Sequence, residues 1–280
     1  MNGFIAALFS PDFPFIRNAL IAGLLSSVLF GVLGTLVTVR RITSLAGAVS
    51  HAVLGGIGMA LYFSASGLVP GFSPLGGAMI FAVLAAGIIG AVSLKAKQRV
   101  DTVINAIWAI GMSVGVLFMA KTPGYTDPGT YLFGNILLIS TRDLILMAAL
   151  DLIVIFLSWC FFPQIESSAF DDEFARTRGV PSQGVFLVLL IVTAAAIVLL
   201  QTFVGIVMVI AMLTLPSGTA GSFARSLTAM MIWSCVFSCL FSAAGLVLGW
   251  GFDTPVGAMT VIIAGTVFLG TAAFKALERK

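Results

Sequence analysis

The sequence predicts an all-α polytopic membrane protein, a bundle of eight to nine transmembrane helices with one further helix on its cytoplasmic side. Two observations support this prediction. Of 280 residues, 60% are apolar and 9% are charged, with a mean hydropathy of +1.15, whereas about a quarter of the residues of soluble domains are charged. The apolar residues also fall into runs of roughly 20, the length that crosses a bilayer as a helix. We expect a single transmembrane domain over residues 1–280.

Nine apolar runs follow one another along the chain. The seventh is apolar only to Leu215 and then reads PSGTAGSFA, so a broken or re-entrant helix is an alternative to a full crossing there. The runs cover approximately residues 18–39, 45–63, 76–94, 103–120, 144–162, 184–200, 204–224, 228–250 and 255–274.

The distribution of basic residues favours nine crossings. If all nine runs cross, one side of the membrane receives only Arg17, Lys121 and Arg142. Because cytoplasmic loops carry an excess of Lys and Arg, we predict an amino terminus outside and a carboxyl terminus in the cytoplasm. The cytoplasmic side then receives Arg40, Arg41, Lys95, Lys97, Arg99, Arg176, Arg178, Arg225, Lys275, Arg279 and Lys280.

Two GxxxG patterns lie within the runs, at Gly111–Gly115 and Gly245–Gly249. Small residues at this spacing let helix backbones approach closely in a membrane, where apolar area provides little drive for association. The sequence therefore predicts a tightly packed bundle.

The only histidine of the chain, His51, lies near the start of the second run, after Arg40, Arg41 and a series of small residues. An ionisable side chain at membrane depth is costly and marks a functional site by default. The alternative is a histidine that is hydrogen-bonded between helices for packing alone.

Asp151 is a second ionisable residue within a run, in LILMAALDLIVIFL. It is a metal ligand together with His51, a proton-relay group, or an acid hydrogen-bonded to a neighbouring Ser, Thr or backbone group. The last interpretation is favoured, since nothing in the sequence shows that the two runs touch.

The segment 163–181 carries six charges between two runs, and its core FDDEFARTRGV predicts a short amphipathic helix. Acidic residues at the positive amino end, basic residues near the carboxyl end and Gly179 as a stop are typical of such a helix. It is either a solvated helix in a loop or a docking site for a motor protein.

No hydrolytic or nucleotide-binding site is predicted. Residues 115–122 resemble a phosphate-binding loop, but Ala120 replaces its second glycine and no strand precedes it. A net charge of +3 gives no reason to expect nucleic acid as a partner. The chain is not expected to be an enzyme, so uphill transport would need a partner ATPase or an ion gradient.

The stretch RRITSLAGAVSHAVLGGIGMA resembles the second-span motif of the membrane subunits of zinc, manganese and iron ABC importers. Five further blocks look like this family's, in the right order, and together they cover most of the chain. They are DTVINAIWAIGMSVGVLF, YLFGNIL, FDDEFARTRGV, MLTLPSGTAGSFAR and FDTPVGAM.

The resemblance implies a permease that moves a divalent metal ion (zinc, manganese or iron) across the bacterial plasma membrane into the cytoplasm, with no permanently bound cofactor. The implied partners are cytoplasmic ABC ATPase subunits, a second permease subunit that is identical or related, an extracytoplasmic metal-binding protein, and the lipid bilayer. The segment 165–180 matches the family's coupling helix, with contacts to the ATPase from Phe170, Asp171, Asp172, Glu173, Phe174, Arg176 and Gly179.

The resemblance also implies that His51 binds the metal. Many relatives carry an aspartate four residues earlier, where this chain has Gly47, so the site would be poorer in oxygen and would need Asp151, a backbone carbonyl or the dimer partner. Imidazole suits zinc, whereas manganese prefers oxygen donors, which favours zinc. Residues expected to line the pathway are Gly47, Ser50, Pro216 and Ser217.

Other functions stay open at this point. One is an ABC permease for an iron chelate or a corrinoid, which needs room for a large ligand. Another is an ion-coupled secondary carrier that uses Asp151 and His51. Inverted repeats would support a carrier, but the two halves of the sequence show no convincing similarity.

Overall fold

The computed structural model describes residues 14–95, 100–124, 129–134 and 139–278, and these residues form helices joined by turns and short connections. The helices are α1 (Pro14–Val39), α2 (Ser44–Ala65), α3 (Pro74–Lys95), α4 (Val100–Lys121), α5 (Gly129–Phe133), α6 (Thr141–Cys160), α7 (Phe162–Phe170), α8 (Asp172–Thr177), α9 (Ser182–Val204), α10 (Ile206–Gly221), α11 (Leu227–Phe252) and α12 (Val256–Glu278).

The bundle has two ends, which we call the Asn18 end and the Arg40 end after the residues at the beginning of α1 and just beyond its last residue. Eight of the described helices are long and apolar enough to cross a membrane, which confirms the predicted polytopic membrane fold. Helix α11 runs antiparallel to α1: Thr35 bonds to Ser234 over 3.0 Å, whereas a Cβ on Gly23 would lie 3.3 Å from the Ser242 Cβ.

Helix α10 corresponds to the irregular seventh run and is continuous from Ile206 to Gly221, with Pro216 buried inside it. It runs parallel to α1 toward the Arg40 end, because a Cβ on Gly34 would lie 2.5 Å from the Leu213 carbonyl oxygen. One helical turn later, the Thr38 and Ser217 hydroxyls are 2.7 Å apart. At 16 residues, α10 is about 24 Å long. It extends from one end of the bundle toward the other, as a ninth crossing requires, and is shorter than the eight long helices.

The basic residues of the described ranges divide unevenly between the two ends of the bundle. Arg17, Lys121 and Arg142 belong to the Asn18 end. The prediction of orientation also counted four basic residues that lie outside the described residues: Lys97, Arg99, Arg279 and Lys280. The Arg40 end holds Arg40, Arg41, Lys95, Arg176, Arg178, Arg225 and Lys275.

Helix α2 is the most deeply buried of the eight long helices and packs against α3, α4, α9 and α10. The close approach of α4 rests on the first GxxxG pattern. A Cβ on Gly111 would lie 2.5 Å from the Ala52 Cα, and one on Gly115 would lie 2.7 Å from the Leu54 carbonyl oxygen. At the second pattern, Gly249 lies against Val256 of α12. Both patterns thus bring helix backbones together, as predicted.

Candidate functional site

His51 lies in the interior of α2 and is 7% exposed. Its imidazole stacks on the Trp108 indole of α4, with ring centroids 4.6 Å apart and an interplanar angle of 19°. Its Nδ1 atom is buried and has no hydrogen-bond partner among the described residues. A buried polar atom without a partner is rare and calls for an explanation, and an imidazole nitrogen is a good ligand for a transition-metal ion.

Gly47 lies one helical turn before His51, on the same side of α2. In this structure it faces no open path, because a Cβ built on Gly47 would overlap the six-membered ring of Trp108. An aspartate at position 47 therefore cannot place its carboxylate beside His51 unless Trp108 moves. The indole occupies the space from which residue 47 would supply a second ligand.

The other residues expected to line the pathway are also buried within the protomer. Ser50 is fully buried and its hydroxyl has no hydrogen-bond partner in the described part of the chain. Ser217 shares a hydrogen bond with Thr38 and lies within reach of the Leu213 and Thr214 carbonyl oxygens, so it connects α10 to α1. Pro216 lies beside it in the same buried turn.

Asp151 lies in α6, is 4% exposed, and neither carboxylate oxygen has a hydrogen-bond partner in the described ranges. Helix α6 packs mainly against α1, and Asp151 lies within electrostatic range of Cys235 on α11. Among the described helices, α6 makes no extensive contact with α2. The helix packing therefore gives no support to His51 and Asp151 as joint ligands of one ion.

No group of three His, Cys, Asp or Glu side chains in the described ranges is placed to hold a metal ion. A site at His51 thus needs further ligands from backbone carbonyl oxygens, water or another subunit.

The predicted cytoplasmic helix is divided into two, because Phe170 ends α7 and Asp171 caps α8. Asp171 has an extended backbone, and its carboxylate accepts a hydrogen bond of 2.9 Å from the Phe174 amide, which starts a new helix. Gly179, at φ +81°, follows the helix end, and its amide donates to the Arg176 carbonyl oxygen over 2.9 Å. The stop expected at Gly179 is present. We call residues 162–179 the cytoplasmic arm, after the side of the membrane that the sequence predicts for them.

Two phenylalanines of the cytoplasmic arm point outward: Phe170 is 69% exposed and Phe174 is 53% exposed. The charged residues around them are held in place by local contacts. Arg176 binds Asp172 over 2.5 Å and donates a 3.0 Å hydrogen bond to Ser182. Glu173 is exposed on the same helix. The arm thus exposes two apolar side chains next to charged residues, of which Arg176 and Asp172 bind each other.

Arg40 links the arm to the membrane helices, a role that the sequence did not predict. Its guanidinium donates a 2.6 Å hydrogen bond to Ser168 of α7 and lies 3.9 Å from the Asp172 carboxylate of α8. It also lies 5.9 Å from the ring centre of Phe186 on α9. Burial lowers the pKa of Arg40 while the charge of Asp172 opposes that shift, and an arginine keeps its charge in such a place.

Comparison with known proteins identifies the family. The family model described as the ABC 3 transport family matches residues 12–275. The chain belongs to the ABC 3 transport family. The resemblance found from the sequence motifs is thereby confirmed at the level of the family.

Proteins similar to this chain include two bacterial membrane proteins. A probable metal transport system membrane protein of Chlamydia muridarum is 32% identical, over 94% of this chain and 90% of the relative. The manganese transport system membrane protein MntC of Halalkalibacterium halodurans is 30% identical, over 92% and 86%. Among solved structures, PsaBC from Streptococcus pneumoniae in complex with Fab is similar with a TM-score of 0.84 and 28% identity, over 96% of this chain and 94% of that one.

In this member of the ABC 3 transport family, Trp108 is a residue of the candidate site that the sequence did not predict. A signal was present, because Trp108 lies three residues before Gly111 of the GxxxG pattern and therefore on the same face of α4. That face is the one that packs against α2 and His51.

Proposed function

We propose that the chain is the membrane-spanning permease subunit of an ABC importer, which carries a divalent transition-metal ion into the cytoplasm and is driven by a separate ATPase subunit. The observation that carries the proposal is His51, a buried imidazole on the central helix whose Nδ1 has no hydrogen-bond partner in the described ranges. Membership of the ABC 3 transport family supports it, as do relatives named for metal and manganese transport.

The metal that suits this site best is zinc. The α4 side chain that stacks on His51 is the Trp108 indole, which offers no ligand atom, and Gly47 offers no side chain. Manganese prefers oxygen donors, whereas imidazole suits zinc. The names of three relatives point to manganese instead, so the choice of metal is the first quantity to measure.

The expected result is uptake of zinc by a bacterium that lacks its own zinc and manganese importers and produces this chain with its ATPase and binding protein. Zinc should inhibit the uptake of labelled manganese more strongly than manganese inhibits that of zinc. If the uptake of manganese is insensitive to zinc, manganese and not zinc is the substrate. No uptake of either ion, from a complex that is assembled in the membrane, would contradict the proposal.

A second permease subunit would cover the outward face of α4. Asn105 and Ser113 are exposed on this helix beside apolar residues such as Ile110 and Leu117. An amide that faces lipid lacks hydrogen-bond partners and is costly at membrane depth. A partner subunit on this face would shield the amide and the hydroxyl from lipid.

The orientation that we propose places the Arg40 end in the cytoplasm, because basic residues concentrate there. The extracytoplasmic binding protein then meets the Asn18 end. The cytoplasmic arm lies on the side of the ATPase, where Phe170 and Phe174 form an apolar contact surface.

A labelling experiment tests this orientation. In a background without Cys160, Cys235 and Cys239, a cysteine at Leu68 should react with an impermeant thiol reagent in intact cells. A cysteine at Leu277 should react only after the membrane is opened, since it lies at the Arg40 end. Both leucines are exposed, so accessibility within the protein is matched. The reverse pattern would place the Arg40 end outside.

A further inference from the structure

We propose that Arg40 is the positioning residue that transmits movement of the cytoplasmic arm to α2, the helix that carries His51. This inference rests on the proposed function, since it assumes that the arm is the docking site of the ATPase. It adds a residue and a structural route to that function. The quantity that tests it is the amount of metal moved for each ATP hydrolysed.

The first step of the argument is that Arg40 contacts the arm at two separate helices. Its guanidinium donates to the Ser168 hydroxyl on α7, and this hydroxyl in turn donates to the Ile165 carbonyl oxygen over 3.2 Å. The Arg40 guanidinium also forms an ion pair with Asp172 on α8. Ser168 is almost fully buried and the Arg40 side chain is only 12% exposed. A charge-assisted hydrogen bond such as the one to Ser168 is stronger than a neutral one, and burial shields it here from competing water, whereas the Asp172 carboxylate is 43% exposed.

The second step is the turn between Arg40 and α2, which is short and closed by hydrogen bonds. The Arg41 amide donates to the Thr38 carbonyl oxygen over 3.0 Å, and the Ile42 amide donates to the Val37 carbonyl oxygen over 3.0 Å. These two bonds form a Schellman motif, in which Arg41 adopts φ 57° although it is not a glycine. A non-glycine residue in this conformation persists where the surroundings fix it, so the turn is a stiff joint.

The third step is the short distance from this joint to the candidate site. The Leu45 amide donates to the Ile42 carbonyl oxygen over 3.0 Å, so α2 continues directly from the turn. His51 follows Ser44, the first residue of α2, by seven positions, which is about 10 Å along the helix. A displacement of Arg40 is therefore passed to the base of the helix that holds the imidazole.

The fourth step is a cavity that leaves the arm room to move. A largely apolar space of about 320 Å³ lies between α1, α6, α7 and α9. Its lining includes Arg40, Gln164 and Ile165 together with Pro181, which lies two residues beyond the arm. Close-packed interfaces resist deformation, whereas an arm that borders a cavity has fewer packed neighbours on that side. Arg40 bridges the arm and the bundle at the edge of this space.

The test uses the complete transporter, permease with ATPase, reconstituted in vesicles with its binding protein. Arg40→Met should still assemble with the ATPase and hydrolyse ATP. The metal transported per ATP should fall about tenfold, within the range by which substitutions along a coupling route alter coupling. Arg40→Lys should give an intermediate loss, because a lysine keeps the charge near Asp172 without the planar geometry that also reaches Ser168.

The matched control is Arg225→Met, which removes the same charge from another residue at the Arg40 end. Arg225 is exposed and lies outside the route described above. Its ratio of metal to ATP should stay at the wild-type value.

Two outcomes overturn the inference: an unchanged ratio in Arg40→Met, or an equal loss in Arg225→Met, which would indicate a general effect of surface charge. If Arg40→Met fails to assemble, Arg40→Lys decides by the same ratio. If the wild-type permease does not bind an ATPase or move metal, the proposed function fails instead, and the two failures are thus distinguished.

Discussion

Replacing His51 by alanine is expected to reduce metal uptake at least tenfold while leaving the permease assembled. The loss removes the imidazole itself, and even the loss of residues that only support metal ligands lowers metal affinity by about 10–100-fold. Basal ATP hydrolysis by the assembled complex should stay near the wild-type rate, because His51 lies within the membrane helices and the arm is untouched. Uptake of labelled zinc in vesicles, measured over a range of zinc concentrations, checks this result.

Two controls separate ligation from packing at His51. The imidazole stacks on Trp108, so alanine removes an aromatic contact of about 0.5–1.5 kcal/mol along with the ligand. His51→Leu fills more of the volume and should abolish uptake equally. Asp151→Asn, on a helix that packs on α1, should keep most of the uptake, and a defect as deep as that of His51→Ala would make Asp151 a ligand. Wild-type uptake by His51→Ala would make the histidine a packing residue.

The membrane helices were largely predictable from the sequence, because apolar length and loop charge are local properties. The least regular run illustrates the limit. The polar residues after Leu215 suggested a possible break, yet α10 continues through Pro216 to Gly221. The tertiary contacts explain the difference, since Ser217 and Thr38 satisfy each other across α10 and α1.

The candidate site was predictable only in part. A single histidine at membrane depth is recognisable from the sequence. The residue that faces this histidine depends on how α4 is rotated and on how closely α4 approaches α2. The glycines that permit the approach were visible, whereas the overlap of Trp108 with Gly47 was not. The same limit applies to Arg40. The sequence predicts only a basic residue on the cytoplasmic side, because its contact with Ser168 depends on how α1 lies beside the arm.

The double substitution Phe170→Ala/Phe174→Ala is expected to abolish transport and to lower the recovery of the ATPase with the purified permease at least tenfold. Both rings are mostly exposed in the protomer, so their loss costs the permease little stability, whereas aromatic residues at the centre of an interface often contribute 2 kcal/mol or more, about 30-fold in affinity. Asp171, which caps α8 through the backbone of residue 174, is unaffected.

The matched control for this loss is Phe252→Ala, because Phe252 is 68% exposed and lies at the Asn18 end of the bundle, opposite the arm. It should bind the ATPase and transport metal like the wild type. Arg176→Glu is a weaker probe, since it also breaks the contacts with Asp172 and Ser182 that order the arm. Normal uptake by the double variant, with normal recovery of the ATPase, would make the cytoplasmic arm an ordinary connection, and the docking surface would then have to lie elsewhere at the Arg40 end.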